Sequence, residues 1–184
     1  MRIGIIGIGM LGNAVALHLL DSGFDVTVYN RTKEKTKEVE QKGAKIVVSP
    51  KIMAENVELV ITIVKDAAAV REVIFGKEGI IESKNKKLIV ADMSTIDPVE
   101  SKNISKELQQ HHIQKLEIPV MGGPNVAIKG ELVMMVSGKK DNFDHCRKIF
   151  EKIASKVFFL GEQGVANSIK LAMNLQITML ALAL

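Results

Sequence analysis

Three glycines stand at positions 7, 9 and 12, in the stretch Gly7-Ile8-Gly9-Met10-Leu11-Gly12. Glycines at this spacing can bring bare backbone N–H groups up to an anion such as a phosphate, because no Cβ intervenes. A second candidate lies far along the chain. Asn167, Lys170 and Asn174 recur at spacings of three and four, which places one amine and two amides on a single helix face. A lysine on a helix is most often solvated, so spacing alone leaves its role open.

The elements around the glycines sharpen the first candidate. The apolar run Ile3–Ile6 feeds the turn, and a helical pattern of Ala14, Val15, Leu17, Leu19 and Leu20 follows, ending near Asp21-Ser22-Gly23. A second apolar run, Val26–Tyr29, completes a β-α-β unit. Glycine spacing in this context predicts a dinucleotide site. Gly7 permits the tight turn, Gly9 admits the pyrophosphate, and Gly12 lets helix and strand pack closely. Ile8, Met10 and Leu11 share that loop and join the expected cofactor contacts.

The end of the second strand bears on which dinucleotide is bound. It reads Asn30-Arg31-Thr32, with no carboxylate before Glu34. A ribose-binding acid is therefore missing, whereas Arg31 can pair with a 2′-phosphate through its planar fork of donors. Thr32 can add a hydroxyl, and Lys33 or Lys35 a second charge. One charge-assisted contact contributes about 1.5–3 kcal/mol, enough to favour NADP over NAD about ten- to a hundredfold. NADP is thus the preferred cofactor and NAD a possible one. The same three residues can also cap the next helix.

Composition narrows the classes. The 184 residues, 47% hydrophobic and 25% charged, suit one globular domain with a substantial core. The net charge of +4 is spread along the chain without a basic run or aromatic platform, so nucleic acid is not an expected partner. A single cysteine, Cys146, rules out an internal disulfide and fits a reducing cytoplasm. The chain opens directly into a strand, and no signal peptide is expected. Cys146 lies in a helical apolar pattern and reads as core, and the four histidines lack metal-site spacing, so no metal is expected.

Strands and helices keep alternating. Strands are predicted at Lys45–Val48, Leu59–Val64, Leu88–Ala91, Leu116–Ile118, Leu132–Val136 and Val157–Leu160. Helices are predicted from Pro50 to Asn56, Ala67 to Phe75, Asp97-Pro98 to about His111, and Asp141 to Ile153. This order implies a doubly wound, mostly parallel α/β sheet, with its ligand at the carboxyl ends of the strands. Three strand ends are candidate site loops: Val64-Lys65-Asp66, Asp92–Thr95 and Pro119–Asn125.

A dinucleotide-binding domain of residues 1–162 is expected, followed by one helix over 163–184. Beyond Asn174 that helix is apolar nearly all round, through Ile177, Met179, Leu180, Leu182 and Leu184. Such a helix needs burial on every side. The run is short and interrupted by Gln176 and Thr178, so a membrane is not expected. A second domain beyond this segment, or a second copy forming a homo-oligomer through the helix, would bury it.

Five motifs in order resemble the cofactor-binding half of the β-hydroxyacid dehydrogenases. That group includes 3-hydroxyisobutyrate dehydrogenase and the glyoxylate/succinic semialdehyde reductases, and is distantly related to 6-phosphogluconate dehydrogenase. The motifs are the 7–12 loop, Asn30-Arg31-Thr32, Asp92–Thr95, Pro119–Pro124 with Gly130 and Gly138, and Gly164–Asn174. The resemblance implies a long helix leading to an all-helical second domain. It implies that Lys170 is the catalytic acid or base and that Asn174 beside it binds substrate. It also implies that Gly122 and Gly123 meet a substrate carboxylate. Ser94 and Thr95 would lie by the nicotinamide ribose and ring, with Ser94 reaching substrate, and Val64, Lys65 and Asp66 by the adenosine-side ribose.

Leu11 and Ala166 depart mildly from the family pattern. Met121 departs more seriously, since a serine hydroxyl is usual there and its loss removes a hydrogen bond of about 1.5–3 kcal/mol to the carboxylate. The expected activity is hydride transfer between NADP and a small β-hydroxy acid or its semialdehyde or keto form. The alternatives are a catalytically weak cofactor-binding or assembly module, and an imine reductase, whose fold is similar.

Overall fold

The computed structural model describes residues 1–183; Leu184, expected at the end of the apolar helix, lies outside them. Nine strands form one sheet: β1 (Ile3–Ile6), β2 (Val26–Tyr29), β3 (Lys45–Ile46), β4 (Leu59–Thr62), β5 (Ile89–Asp92), β6 (Gln114–Glu117), β7 (Val120–Met121), β8 (Leu132–Gly138) and β9 (Ala154–Phe159). The order is β3-β2-β1-β4-β5-β6-β8-β7, with β9 also on β8. The strands from β3 to β6 run parallel, and β8 is antiparallel to β6 and β7. The doubly wound, mostly parallel architecture expected from the alternating pattern is the one observed.

Helices cover both faces: α1 (Met10–Asp21), α2 (Lys37–Gln41), α3 (Pro50–Asn56), α4 (Ala67–Phe75), α5 (Pro98–Gln110), α6 (Pro124–Ala127), α7 (Lys140–Ile153) and α8 (Val165–Ala183). β1, β4 and β5 are buried throughout, as strands covered on both faces must be. One core layer holds Leu19, Ile149 and Phe150 from α1 and α7. The other holds Met53, Ile74 and Ile104 from α3, α4 and α5. Each such side chain contributes about 1.5–3 kcal/mol on burial. Cys146 belongs to the first layer, where burial pushes its thiol up to about 12.

Register aligns the strand ends that matter. Tyr29, Ile6, Thr62, Asp92 and Glu117 are successive Cα partners across β2, β1, β4, β5 and β6, so the loops after these strands open along one edge. β1 connects through α1 to β2 on one side, and it neighbours β4 on the other. That reversal leaves a crevice at the carboxyl ends of β1 and β4.

His18, near the end of α1, joins distant segments. Its Nδ1 lies 3.0 Å from the Ile128 carbonyl oxygen and its Nε2 2.9 Å from that of Lys152. α8 begins inside the domain, with Ala166 and Asn167 fully buried, and then leaves it. Leu175, Ile177, Met179, Leu180 and Leu182 are exposed on the outer part. At 19 residues, α8 is long and apolar enough to cross a membrane, so shortness is no argument against that. Its first turn is nonetheless buried in the domain, and one of its faces carries Asn167, Lys170 and Asn174.

Candidate active site

The crevice between β1 and β4 forms an open groove of about 330 Å³, bordered by Gly7, Gly9, Asn30, Arg31, Val64 and Lys65 among others. Gly7 has φ +101°, and a Cβ there would overlap the Ile63 carbonyl oxygen. A Cβ on Gly12 would overlap the Gly7 carbonyl oxygen, so α1 could not start so close to β1. Gly9 differs, because a Cβ on it would meet nothing within 4 Å. The fold needs Gly7 and Gly12, whereas the space beside Gly9 is open to the groove. Gly9 also sits just before Met10, at the N-terminus of a twelve-residue helix whose first turn carries no acidic residue.

Asn30 holds the loop from the second strand end. Its Oδ1 accepts the Ile8 N–H at 2.9 Å, and its Nδ2 donates to the Thr32 carbonyl at 2.7 Å. Ile8 therefore gives its N–H to Asn30 and buries its side chain in the core, which leaves it less to offer a ligand than expected. Met10 projects outward and Leu11 is half-buried. Thr32 precedes the short 3₁₀ turn Lys33–Thr36 without a side-chain capping bond, so capping does not account for this segment. Arg31 and Lys35 both border the groove, together with Lys65 and one carboxylate, Glu72.

The β4 and β5 loops are clamped together. Asp92 is fully buried, and its Oδ1 accepts both the Thr62 hydroxyl at 2.8 Å and the Ser94 N–H at 3.1 Å. Ser94 is buried in turn and accepts the Val64 N–H at 3.0 Å, which leaves its hydroxyl proton and one lone pair for a ligand. Asp66 caps α4 by accepting the Ala69 N–H at 2.8 Å, and this bond holds its carboxyl below the usual range. Lys65 is exposed and pairs with Asp66 at 3.2 Å. Thr95 remains half-buried at the loop.

At the far end of the same edge, β7 and α8 meet. Lys170 Nζ donates to the Met121 Sδ at 3.0 Å. Burial lowers the pKa of the lysine, the direction a neutral amine requires. Asn174 lies half-buried one turn further along. Gly122 and Gly123 follow Met121 directly, and a Cβ on Gly123 would meet nothing within 4 Å. The structure thus brings together Met121 and Lys170, and the Gly122-Gly123 turn follows Met121 in the chain. Sequence reasoning passed over Lys115 and Glu117, two buried charges in the four-residue strand β6; charges in a strand that must be buried were the available signal.

The family model for the NAD binding domain of 6-phosphogluconate dehydrogenase matches residues 2–161. Among curated proteins, the uncharacterized oxidoreductase YkwC of Bacillus subtilis (strain 168) is 36% identical over 169 residues, covering 92% of this chain and 59% of that protein. The mitochondrial 3-hydroxyisobutyrate dehydrogenase of Mus musculus is 32% identical, covering 94% and 52%. Among solved structures, Psf3 in complex with NADP+ and 2-OPP superimposes with a TM-score of 0.91 at 27% identity, covering 95% and 62%. The chain therefore spans between 52 and 62% of the length of these relatives. Imine reductases also superimpose, at 18 to 23% identity, a likeness of fold alone.

Proposed function

The chain belongs to the family of 6-phosphogluconate dehydrogenase NAD-binding domains, and on that premise we propose that it serves an NADP-dependent oxidoreductase of small β-hydroxy acids or their semialdehyde or keto forms. The observation that carries this reading is Lys170, half-buried on a helix face at the same sheet edge as the glycine groove. The relatives named as 3-hydroxyisobutyrate dehydrogenase and glyoxylate/succinic semialdehyde reductase support the substrate class. Location in the cytoplasm is part of the same proposal.

The residues present fit a dinucleotide. Gly9 leaves room for a close approach, the start of α1 offers unpaired N–H groups, and Arg31 with Lys35 offers positive charge for a 2′-phosphate. Ser94 and Thr95 would border the nicotinamide end, and Val64, Lys65 and Asp66 the adenosine end. When bound, the nicotinamide supplies or takes up the hydride.

The protein manages one proton. In carbonyl reduction Lys170 donates from Nζ to the oxygen that gains charge, and in alcohol oxidation it accepts the hydroxyl proton. Its lowered pKa narrows the gap between the two states. Asn174 can hydrogen-bond the substrate without titrating, and the Gly122-Gly123 backbone can meet a carboxylate. Met121 makes this corner apolar and adaptable, which favours substrates with a hydrocarbon portion next to the reacting carbon. The exposed apolar side of α8 fits packing against further protein, either a second domain or a second copy.

Calorimetric titration with NADPH and NADH, repeated on Arg31→Asp, tests the cofactor assignment. NADPH should bind about ten- to a hundredfold more tightly than NADH, and the variant should lose that preference. Equal, weak binding of both would overturn it.

A further inference from the structure

We propose that Glu117 is a positioning residue for Lys170, acting through the first turn of α8. The proposal rests on the reading of Lys170 as the proton donor. Glu117 ends β6 and is fully buried, a costly place for a carboxylate unless its oxygens are satisfied. Its Oε1 accepts the Gly164 N–H at 2.7 Å, and its Oε2 accepts the Asn167 N–H at 3.4 Å. N–H groups at a helix start have no partner within the helix, and that end carries partial positive charge. Glu117 therefore answers both the hydrogen-bonding and the charge of the end from which Lys170 projects one turn later.

Two further bonds fix the same turn. Ser137 Oγ on β8 accepts the Ala166 N–H at 2.7 Å. Asn167 Oδ1 accepts the Ile96 N–H at 3.2 Å, which ties α8 to the residue after Thr95. The start of α8 is thus held from β6, from β8 and from the loop after β5.

Charge balance makes the Glu117 contact hard to give up. Lys115 lies two residues earlier on the same side of β6 and is also buried. It donates to Ser101 Oγ at 2.7 Å and sits 3.9 Å from Asp92 Oδ2. Burial lowers the pKa of Lys115, whereas the carboxylates of Asp92 and Glu117, register partners on adjacent strands, favour its charged form. The start of α8 compensates the second carboxylate. If α8 moved away, Glu117 would be left as a buried charge without its donors. Asp92 also anchors Ser94, Ser94 anchors Val64, and Ile96 two residues on donates to Asn167, so the loop after β5 links the groove to the helix of Lys170. It sets how far the lysine stands from the cofactor groove.

The test uses Glu117→Gln, which keeps the side-chain shape and one carbonyl oxygen. It leaves Asp92 and Lys115 as a balanced pair, so the variant is expected to fold. Amide hydrogen exchange at Gly164 and Asn167 should accelerate by about tenfold or more in the 184-residue chain. Reductive methylation of Lys170, read by mass spectrometry, should change several-fold while exposed Lys148 on α7 keeps its rate. Ser137→Ala, which removes one acceptor without touching charge, should shift both readouts the same way but less, and it decides the matter if E117Q does not fold. A folded variant whose α8 amides exchange faster while Lys170 labels as in the wild type would reduce Glu117 to a helix cap and overturn the proposal. So would unchanged exchange. Turnover by Lys170→Ala would sink the proton-donor reading separately, since exchange and labelling do not depend on catalysis.

Discussion

Lys170 Nζ rests 3.0 Å from the sulfur of Met121, so its amine is met by a weak thioether acceptor. A hydroxyl at position 121 would present a donor to an anionic substrate, whereas a thioether cannot. Met121→Ser should therefore raise kcat/KM for a carboxylate-bearing semialdehyde by about tenfold or more, and should do little for an uncharged aldehyde of similar size. Paired kinetics on the two substrates check this. An equal gain on both would point to pocket volume rather than hydrogen bonding.

The lowered pKa of Lys170 has a direction in pH. Reduction needs the ammonium, so its rate should fall as pH rises, on a flank lying below the ordinary lysine value of 10.5. Oxidation needs the free amine and should rise over the same window. Stability follows the same linkage, because in that window the unfolded chain holds this proton more firmly than the folded one. The burial penalty on the charged form is thus present at lower pH and is relieved as pH climbs toward 10.5. A pH–rate profile flat to 10.5, or a Lys170→Met variant with unchanged pH dependence of unfolding, would contradict the assignment.

The glycines of the first loop should separate cleanly on substitution. Gly12→Ala would drive a methyl into the Gly7 carbonyl, so it should lower stability by about 1–3 kcal/mol. Gly9→Ala meets nothing in the protein and should leave the melting temperature near that of the wild type while weakening NADPH binding. Thermal melts and calorimetry on the two variants distinguish the cases. Unimpaired NADPH binding by the Gly9 variant would argue against a close phosphate contact there.

Local chemistry made much of the fold readable. Pro50–Asn56 and Ala67–Phe75 have the predicted bounds, and both starts are marked by side-chain caps. Ser49 accepts the Ile52 N–H, and Asp66 accepts the Ala69 N–H. The two-residue strand Val120–Met121 was not readable, because it exists through pairing with Val133 and Met134, and its neighbours Pro119, Gly122 and Gly123 signal a loop. The site divides along the same line. Glycine spacing and the absence of an acid before Glu34 are local properties of the sequence. The buried state of Lys115 and Glu117 is not, since it depends on Asp92 and on a helix start 47 residues beyond Glu117. Ser94 illustrates the middle ground: its place at the strand end was legible, but its use as a clamp on Val64 was not.

His18 has a consequence for how the chain comes to be made. The carbonyl groups it meets belong to residues 110 and 134 positions further on. During vectorial synthesis the first helix emerges long before either carbonyl exists, so its inner end must wait with an unmatched imidazole. Closing contacts of such long sequence separation come late and cost loop entropy before they return anything. The Gly7–Gly12 loop is thus translated well before Lys152, yet the helix behind it gains its last contact only after that residue has been made.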